Sequence, residues 1–266
     1  MIGRPVSGLP RERALLFGGQ AERYDRTRPA YPAALIDDIV GSSPQELSVL
    51  DVGCGTGIAA RLMAQRGARV LGVELNAAMA EIAARHGIAT EVAAFETWDP
   101  AGRSFDRVTS AQAWHWLDPA VSAGKAASVL RPGGRLCVFW SVGHHPDDLA
   151  AALQAAYRRV LARDSETMMI GYAANRAGDP TPGVLPVTDA LRACDTLSEP
   201  QVQSFPWIRR YSRDEWLDQL QSHSDHIALD TTVREKLFGE IGRTIDHGGG
   251  TFEMTYVTTL ISAGRR

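Results

Sequence analysis

A glycine-rich loop that follows an apolar strand constrains the fold of this chain more than any other feature. The run VLDVGCGTG ends at Gly57, and Glu74 follows seventeen residues later, at the end of a second apolar segment. Gly53, Gly55 and Gly57 let the backbone turn sharply and approach a ligand closely, because no Cβ is in the way. An acid at the second strand end can accept hydrogen bonds from a ribose diol. Together these features predict a site for a ligand that carries a ribose.

The spacing of the glycines distinguishes between two classes of ligand. Dinucleotide-binding loops follow G-x-G-x-x-G and direct a helix N-terminus at a pyrophosphate. This loop instead reads D-x-G-x-G-x-G, and Asp51 would repel a pyrophosphate but suit an ammonium group. The segment Asp51–Gly57 resembles motif I of the class I S-adenosylmethionine-dependent methyltransferases. The resemblance implies S-adenosylmethionine as the cofactor, which carries an ammonium, a sulfonium and a ribose diol but no phosphate.

The resemblance also assigns cofactor contacts around the first two strand ends. The residues concerned lie in the loop, at the end of the second strand and on the next helix: Asp51, Gly53, Cys54, Gly55, Gly57, Glu74, Leu75 and Met79.

Apolar periodicity predicts alternating strands and helices from Leu47 to Ser141. The predicted strands are Ser48–Val52, Arg69–Glu74, Ile88–Val92, Phe105–Ser110 and Arg135–Ser141, with Gln203–Tyr211 and Thr251–Ile261 as sixth and seventh strands. A turn at Arg131–Gly134 would precede the fifth strand. Alternation of this kind predicts an α/β fold: a Rossmann-like, mainly parallel seven-stranded sheet with helices on both faces.

Four segments follow from this pattern. Residues 1–32 would form an N-terminal helical lid, built on a helix at Arg11–Asp25, and residues 33–145 the cofactor-binding core. Residues 146–200 would form a mostly helical cap inserted after the fifth strand, with a helix at Pro146–Arg163 and a loop at Gly171–Pro186. Residues 201–266 would complete the sheet.

Loops at the carboxyl ends of the strands should surround one cleft. After the third strand, Phe95 and Glu96 match the positions that hold adenine in the family, although a core phenylalanine beside a solvated glutamate is the alternative. After the fourth strand, Gln112 is placed for a cofactor contact. Trp114 and Trp116 could then wall a substrate pocket.

His115 stands between these tryptophans, in a run AQAWHWLD that is similar to a branch of the family including trans-aconitate methyltransferase. It is either a catalytic base oriented by Asp118 or a structural histidine. The resemblance to this branch also covers the N-terminal segment. There Tyr24 and Arg28 could reach the methionine carboxylate of the cofactor, the alternative being a solvated basic helix end.

Composition limits the remaining classes. The net charge of −3, the pI near 6.2 and the lack of a basic run in the sequence argue against nucleic acid as a partner. Three cysteines without a C-x-x-C pair, no signal-peptide pattern and no long apolar run predict a cytoplasmic protein without a membrane segment. His144, His145, Asp147 and Asp148 read as a helix start, so we expect no metal.

The sequence therefore predicts an S-adenosylmethionine-dependent methyltransferase that acts on a small-molecule acceptor, with an oxygen of a carboxylate or hydroxyl receiving the methyl group. A non-catalytic cofactor-binding protein and a nicotinamide-dependent oxidoreductase are the alternatives. The oligomeric state does not follow from the sequence.

Overall fold

The computed structural model describes residues 20–161 and 184–266. Seven strands form one sheet: β1 Ser48–Val52, β2 Arg69–Glu74, β3 Ala89–Val92, β4 Phe105–Ala111, β5 Leu130–His144, β6 Gln201–Ser212 and β7 Thr251–Gly264. The α-helices are α1 Ala21–Thr27, α2 Ala33–Val40, α3 Ile58–Gln65, α4 Ala77–Arg85, α5 Pro119–Val129, α6 Asp147–Val160, α7 Val184–Arg192, α8 Arg213–Leu220, α9 Ser224–Ile227 and α10 Thr231–His247. Short 3₁₀ turns lie at Pro44–Glu46 and Trp114–Trp116.

The sheet is mixed, which corrects the prediction of a mainly parallel sheet. Its strand order is β3-β2-β1-β4-β5-β7-β6. The first five strands pair in parallel, whereas β7 runs antiparallel to both of its neighbours, β5 and β6. Strand direction depends on how the helices between β5 and β7 return the chain, and apolar patterning alone does not encode that path.

Helices cover both faces of the sheet, as predicted. Alternate residues of β1 show the arrangement: Val49 packs in the cluster that contains Leu35 of α2 and Met63 of α3. Leu50 belongs to the opposite cluster, with Ala126 of α5 and Leu191 of α7. Successive side chains of a strand point to opposite faces, so two apolar layers hold the sheet.

A second apolar core lies where β6 and β7 extend beyond the parallel strands. Tyr211 and Tyr256 from these strands pack there with Trp216 of α8 and Ile241 of α10. Helix α6 packs along α10 and adds Tyr157 to the same core. The segment predicted to be a cap thus contains one helix that stabilises this second core.

Several predicted boundaries differ from the structure. Strand β5 begins at Leu130 rather than Arg135, because β4 pairs with it on both sides of residues 131–134, which bulge out. The predicted loop at Gly171–Pro186 overlaps α7, which packs on the main core through Val187 and Leu191. The remainder of that loop, residues 1–19 of the predicted lid and the end of the helix predicted at Pro146–Arg163 lie outside the described residues.

Candidate cofactor site

A cleft opens at the carboxyl ends of β1, β2 and β4, where the strand order reverses. It has about 770 Å³ of space not filled by atoms, part of it open to solvent. Ten of the predicted site residues line it: Tyr24, Gly53, Gly55, Glu74, Leu75, Met79, Phe95, Glu96, Gln112 and Trp116. Their convergence follows from the parallel strands, whose carboxyl ends meet at one edge.

The loop after β1 forms the floor of this cleft because glycine allows a close approach. Gly53 has φ +65° and donates its N–H to the carbonyl of Val73 at 2.8 Å. A Cβ on Gly53 would stand 2.6 Å from the Cβ of Ala113, in the loop after β4. Gly55 also has a positive φ, +57°, and a Cβ there would lie 3.3 Å from the Cε of Met79. Larger residues at these two positions would narrow the cleft.

The other two loop residues serve packing rather than the cleft wall. Cys54 is buried and lies over Gly72 of β2, where a Cβ would stand 2.5 Å from its Sγ. Burial raises the pKa of the Cys54 thiol well above its usual value, so this thiol stays protonated. Gly57 begins α3 with φ +83° and lies against Ala83 of α4.

Glu74 presents a carboxylate that the backbone holds in place. Its Oε2 accepts a hydrogen bond from the N–H of Gly55 at 2.8 Å, and its Oε1 accepts one from Asn76 at 2.8 Å. The residue is 8% exposed, and burial raises the pKa of the carboxyl against the lowering effect of these N–H donors. Each carboxylate oxygen can accept a further bond, so Glu74 can bind a diol from a fixed position.

Asp51 is a buried acid with an unsatisfied oxygen. Its Oδ1 accepts a hydrogen bond from the Thr109 hydroxyl at 2.8 Å, whereas its buried Oδ2 has no partner. Burial raises the pKa of Asp51 to about 7, the Thr109 bond opposes the rise, and the charge of Glu74 adds to it. An ammonium group beside Oδ2 would satisfy this oxygen and stabilise the carboxylate, so the residues fit the cofactor that the sequence implies.

Phe95 and Glu96 lie on the wall after β3. Phe95 is 2% exposed and stacks with Trp98, so it belongs to the core as well as to the cleft. The Oε1 of Glu96 accepts a hydrogen bond from the N–H of Asp118 at 2.9 Å, at the start of α5. This bond fixes the carboxylate beside the cleft.

Gln112 shows backbone strain at the end of β4. Its φ of +57° is rare for a residue with a Cβ and costs on the order of 1 kcal/mol. The side chain donates through Nε2 to the carbonyl of Ser141 at 2.9 Å, and the main-chain N–H donates to the carbonyl of Phe139 at 2.9 Å. Two bonds to β5 therefore hold a strained residue at the cleft wall.

The Trp114–Trp116 turn splits its three side chains between different environments. Trp116 lines the cleft, whereas Trp114 is 4% exposed and packs in the main core, so the structure does not place it on a pocket wall. His115 is not on that wall either. Its Nδ1 accepts a hydrogen bond from the indole N–H of Trp140 at 3.2 Å, and burial lowers the pKa of His115 to about 4. The ring is therefore neutral, with its proton on Nε2.

Tyr24 and Arg28 place the end of α1 beside the cleft. Tyr24 lines it, and the guanidinium of Arg28 lies over the Tyr24 ring at 4.8 Å. Arg28 itself is not a lining residue and donates through Nη2 to the carbonyl of Ser222 at 3.2 Å. It therefore lies beside the cofactor cleft and points to the loop after α8.

Sequence reasoning missed two partners of the site, Thr109 and Trp140. Thr109 stands opposite Asp51 in the β1–β4 register, and a hydroxyl on the neighbouring strand was the available signal. The contact of Trp140 with His115 joins β5 to a loop and left no local signal in the sequence.

Among residues 20–161 and 184–266, no group of three or more His, Cys, Asp or Glu side chains is arranged to hold a metal ion. No helix within these ranges is both long and apolar enough to cross a membrane.

Residues 50–138, which carry most of this cleft, match the family model described as a methyltransferase domain. This part of the chain is therefore similar to a methyltransferase domain. An uncharacterized methyltransferase of Mycobacterium tuberculosis is 37% identical over 139 residues, which are 49% of this chain and 54% of that protein. A ubiquinone biosynthesis O-methyltransferase of Alkalilimnicola ehrlichii is 35% identical over 118 residues, 41% of this chain and 47% of its own length. The chain spans about half the length of these curated relatives.

Solved structures share the fold of the chain around these residues. A protein of Anaeromyxobacter dehalogenans, provisionally named a type II methyltransferase, matches with a TM-score of 0.58 at 23% identity, covering 90% of this chain and 97% of that one. A second match is phosphoethanolamine N-methyltransferase 2 of Haemonchus contortus, solved with phosphomonomethylethanolamine and S-adenosylhomocysteine. Its TM-score is 0.57 at 14% identity, and the match covers 96% of this chain and 58% of that one. At these identities the likeness concerns the fold alone.

Proposed function

We propose that this protein is an S-adenosylmethionine-dependent methyltransferase that methylates an oxygen of a small-molecule acceptor. One observation carries the proposal: the described lining of the cleft contains two acids, Glu74 and Glu96, and no lysine or arginine. Acidic walls would repel a pyrophosphate, whereas they suit a ligand with an ammonium, a sulfonium and a ribose. The buried Asp51 behind the loop adds a third acid.

The proposed roles follow from the contacts of each group. Glu74 would accept the ribose hydroxyls and Asp51 the ammonium, with Phe95 and Glu96 at the adenine. Bound S-adenosylmethionine would supply a methyl group on a positively charged sulfur for transfer to an acceptor oxygen, with S-adenosylhomocysteine as the leaving group. The protein would contribute mainly by positioning the reactants and excluding water.

Support for an oxygen acceptor comes from the Alkalilimnicola relative, whose name describes an O-methyltransferase. We propose His115 as a neutral hydrogen-bond donor that orients the acceptor or its pocket, rather than as the base. Its Nδ1 already accepts from Trp140, and its low pKa makes it a weak base. His115→Asn should slow methyl transfer and leave the pH dependence between pH 6 and 8 unchanged; loss of a rate step in that range would contradict the donor role.

Calorimetric titration with S-adenosylhomocysteine, beside NADH as control, tests the cofactor. Wild type should bind S-adenosylhomocysteine and not NADH. Glu74→Ala should weaken this binding by about 1–3 kcal/mol, through loss of charge-assisted bonds to the ribose. Unchanged affinity in the variant would refute the ribose assignment. Binding without turnover of any small acid or hydroxyl compound would favour a non-catalytic binding protein.

A further inference from the structure

An arginine without an ion pair lies next to the cofactor cleft. Arg23 and Arg26 of α1 both pair with Asp218, at 2.9 and 2.8 Å. Arg28 forms no such pair with any carboxylate in the described ranges; its contacts are the Tyr24 ring and the carbonyl of Ser222. The buried Nε of Arg28 has no hydrogen-bond partner. Within the described ranges, this half-buried guanidinium therefore has an unsatisfied donor and no counter-charge, which favours an anionic group as its ligand.

Two buried histidines, His223 in the loop after α8 and His226 on α9, face the same region. His223 is 5% exposed and His226 0%. The positive charge of Arg28 lowers the pKa values of both histidines, after the larger effect of burial, so all three groups are close together. Together with Arg28 they are called the basic cluster below.

His226 can donate a hydrogen bond within the basic cluster. Its Nε2 lies 2.9 Å from the hydroxyl of Tyr157, and its buried Nδ1 has no partner. When Tyr157 donates to Nε2, the neutral ring carries its proton on Nδ1 and offers a donor. An unsatisfied buried donor of this kind is costly in a folded protein, and a ligand that accepts a hydrogen bond from it offsets the cost.

The position of the basic cluster favours the acceptor over the cofactor as its ligand. All three residues lie outside residues 50–138, the part of the chain that matches the methyltransferase domain model. They adjoin the cleft through Tyr24, which lines it and contacts Arg28. One fold hosts many acceptors, so residues outside the matched part are candidates for selecting the acceptor.

We infer that the basic cluster binds a carboxylate of the acceptor, which makes the substrate a small carboxylic acid; this inference rests on the proposed methyl transfer. The guanidinium of Arg28 would bind the two carboxylate oxygens side by side, and His226 would donate from Nδ1. The methionine end of the cofactor also carries a carboxylate, and the experiment separates the two sources.

The test uses protein saturated with S-adenosylhomocysteine, titrated calorimetrically with succinate and with benzoate, and with the amides succinamide and benzamide as uncharged controls. Wild type should bind at least one of the two acids and neither amide. Arg28→Gln should weaken acid binding about tenfold or more, and Arg28→Lys should weaken it less. Arg26→Gln is the matched control, because Arg26 lies on the same helix and pairs with Asp218; it should bind the acids as wild type does. Thermal melts establish that each variant is folded.

Titration of Arg28→Gln with S-adenosylhomocysteine and with methylthioadenosine, which lacks the amino-acid end, identifies the source of the carboxylate. Unchanged binding of both supports the acceptor. Weaker binding of S-adenosylhomocysteine alone would assign Arg28 to the cofactor and overturn the inference, as would wild-type protein that binds neither acid. Failure of wild type to bind S-adenosylhomocysteine would count against the methyltransferase itself; the acids titrated into protein alone would still test the basic cluster.

Discussion

At the scale of single residues, the two acids of the cofactor cleft differ in how they are stabilised. Glu74 accepts main-chain N–H groups at both oxygens, which favour its ionised form. Asp51 is fully buried and has one hydroxyl partner, Thr109, so its unpaired Oδ2 makes the charge costly. The pKa of Asp51 is consequently raised to about 7. Asp51 thus titrates near neutral pH.

This difference predicts that cofactor binding releases a proton from Asp51. An ammonium beside Oδ2 lowers the pKa of the carboxyl, so a group with a pKa of about 7 in the free protein becomes fully ionised in the complex. At pH 7 we expect about half a proton released per S-adenosylhomocysteine bound. Calorimetry in buffers of different ionisation enthalpy measures this number directly.

Two controls isolate the contribution of Asp51 to this proton release. Methylthioadenosine lacks the ammonium and should bind without release, and Asp51→Asn has no proton to lose. Release that persists in Asp51→Asn would show that another group is responsible.

At the scale of elements, the width of the cleft depends on the close approach of two loops. The loop after β1 meets the loop after β4 at Gly53 and Ala113, where a Cβ on Gly53 would stand 2.6 Å from that of Ala113. Since this contact would join two Cβ atoms, no rotamer change can relieve it. The left-handed φ of Gly53, +65°, adds a second requirement for glycine.

Gly53→Ala should therefore destabilise the fold by about 1–3 kcal/mol and weaken S-adenosylhomocysteine binding. The double variant Gly53→Ala, Ala113→Gly removes the clash and keeps the cost of the φ angle. It should recover part of the stability, which urea unfolding of both variants measures. Equal stability of the single and double variants would mean that the loops do not meet as described.

Sequence patterns predicted the bounds of elements correctly where apolar periodicity is strong. They failed where contacts between distant parts of the chain determine those bounds. Strands β1 and β2 match their predicted bounds, because continuous apolar runs end at the glycines and at Glu74. The start of β5 depends on pairing with β4 across the bulge at residues 131–134. Helix α7 begins next to a Gly- and Pro-rich stretch, and its packing on α5 outweighs that composition.

The site shows the same division. The loop glycines and Glu74 followed from motif spacing, whereas the split of Trp114 from Trp116 depends on a 3₁₀ turn that sends neighbouring side chains to different layers. The basic cluster joins the end of α1 to α9 and the loop before it, about 190 residues further along the chain, as the Arg28–Ser222 bond shows. No local pattern in the sequence could reveal that contact.

At the scale of the whole molecule, buried histidines make stability depend on pH. Burial lowers the pKa of His115 and His145 to about 4, of His226 to about 3, and of His223 well below its ordinary value of 6.5. Between pH 6.5 and 4 the unfolded chain binds protons at these positions and the folded chain does not. Their contribution to stability is present above pH 6.5 and is lost as the pH falls.

The buried acids act in the opposite direction. The pKa of Asp51 is raised from 3.8 to about 7, and that of Glu74 is raised too, so in this window the folded chain holds protons that the unfolded chain has released. Falling pH therefore stabilises the fold through these two groups. Each group changes the free energy of unfolding by at most about 1.4 kcal/mol per pH unit. The four histidines therefore have a larger effect on it than the two acids.

We therefore expect the free energy of unfolding to fall by about 2 kcal/mol between pH 7 and pH 5.5, measured by urea unfolding at each pH.

The ring of His145 lies near the rings of Trp216 and Phe252, with centroid distances of 4.9 and 5.2 Å. Protonation of His145 would therefore place a charge among aromatic groups of the second core. His145→Gln removes one of the four histidines and should reduce the pH dependence by about 1 kcal/mol over this range. The exposed His247 provides the matched control, since His247→Gln should leave the dependence as in wild type. Stability that rises on acidification would mean that the buried acids outweigh the histidines, and the assignment of neutral, buried rings would be wrong.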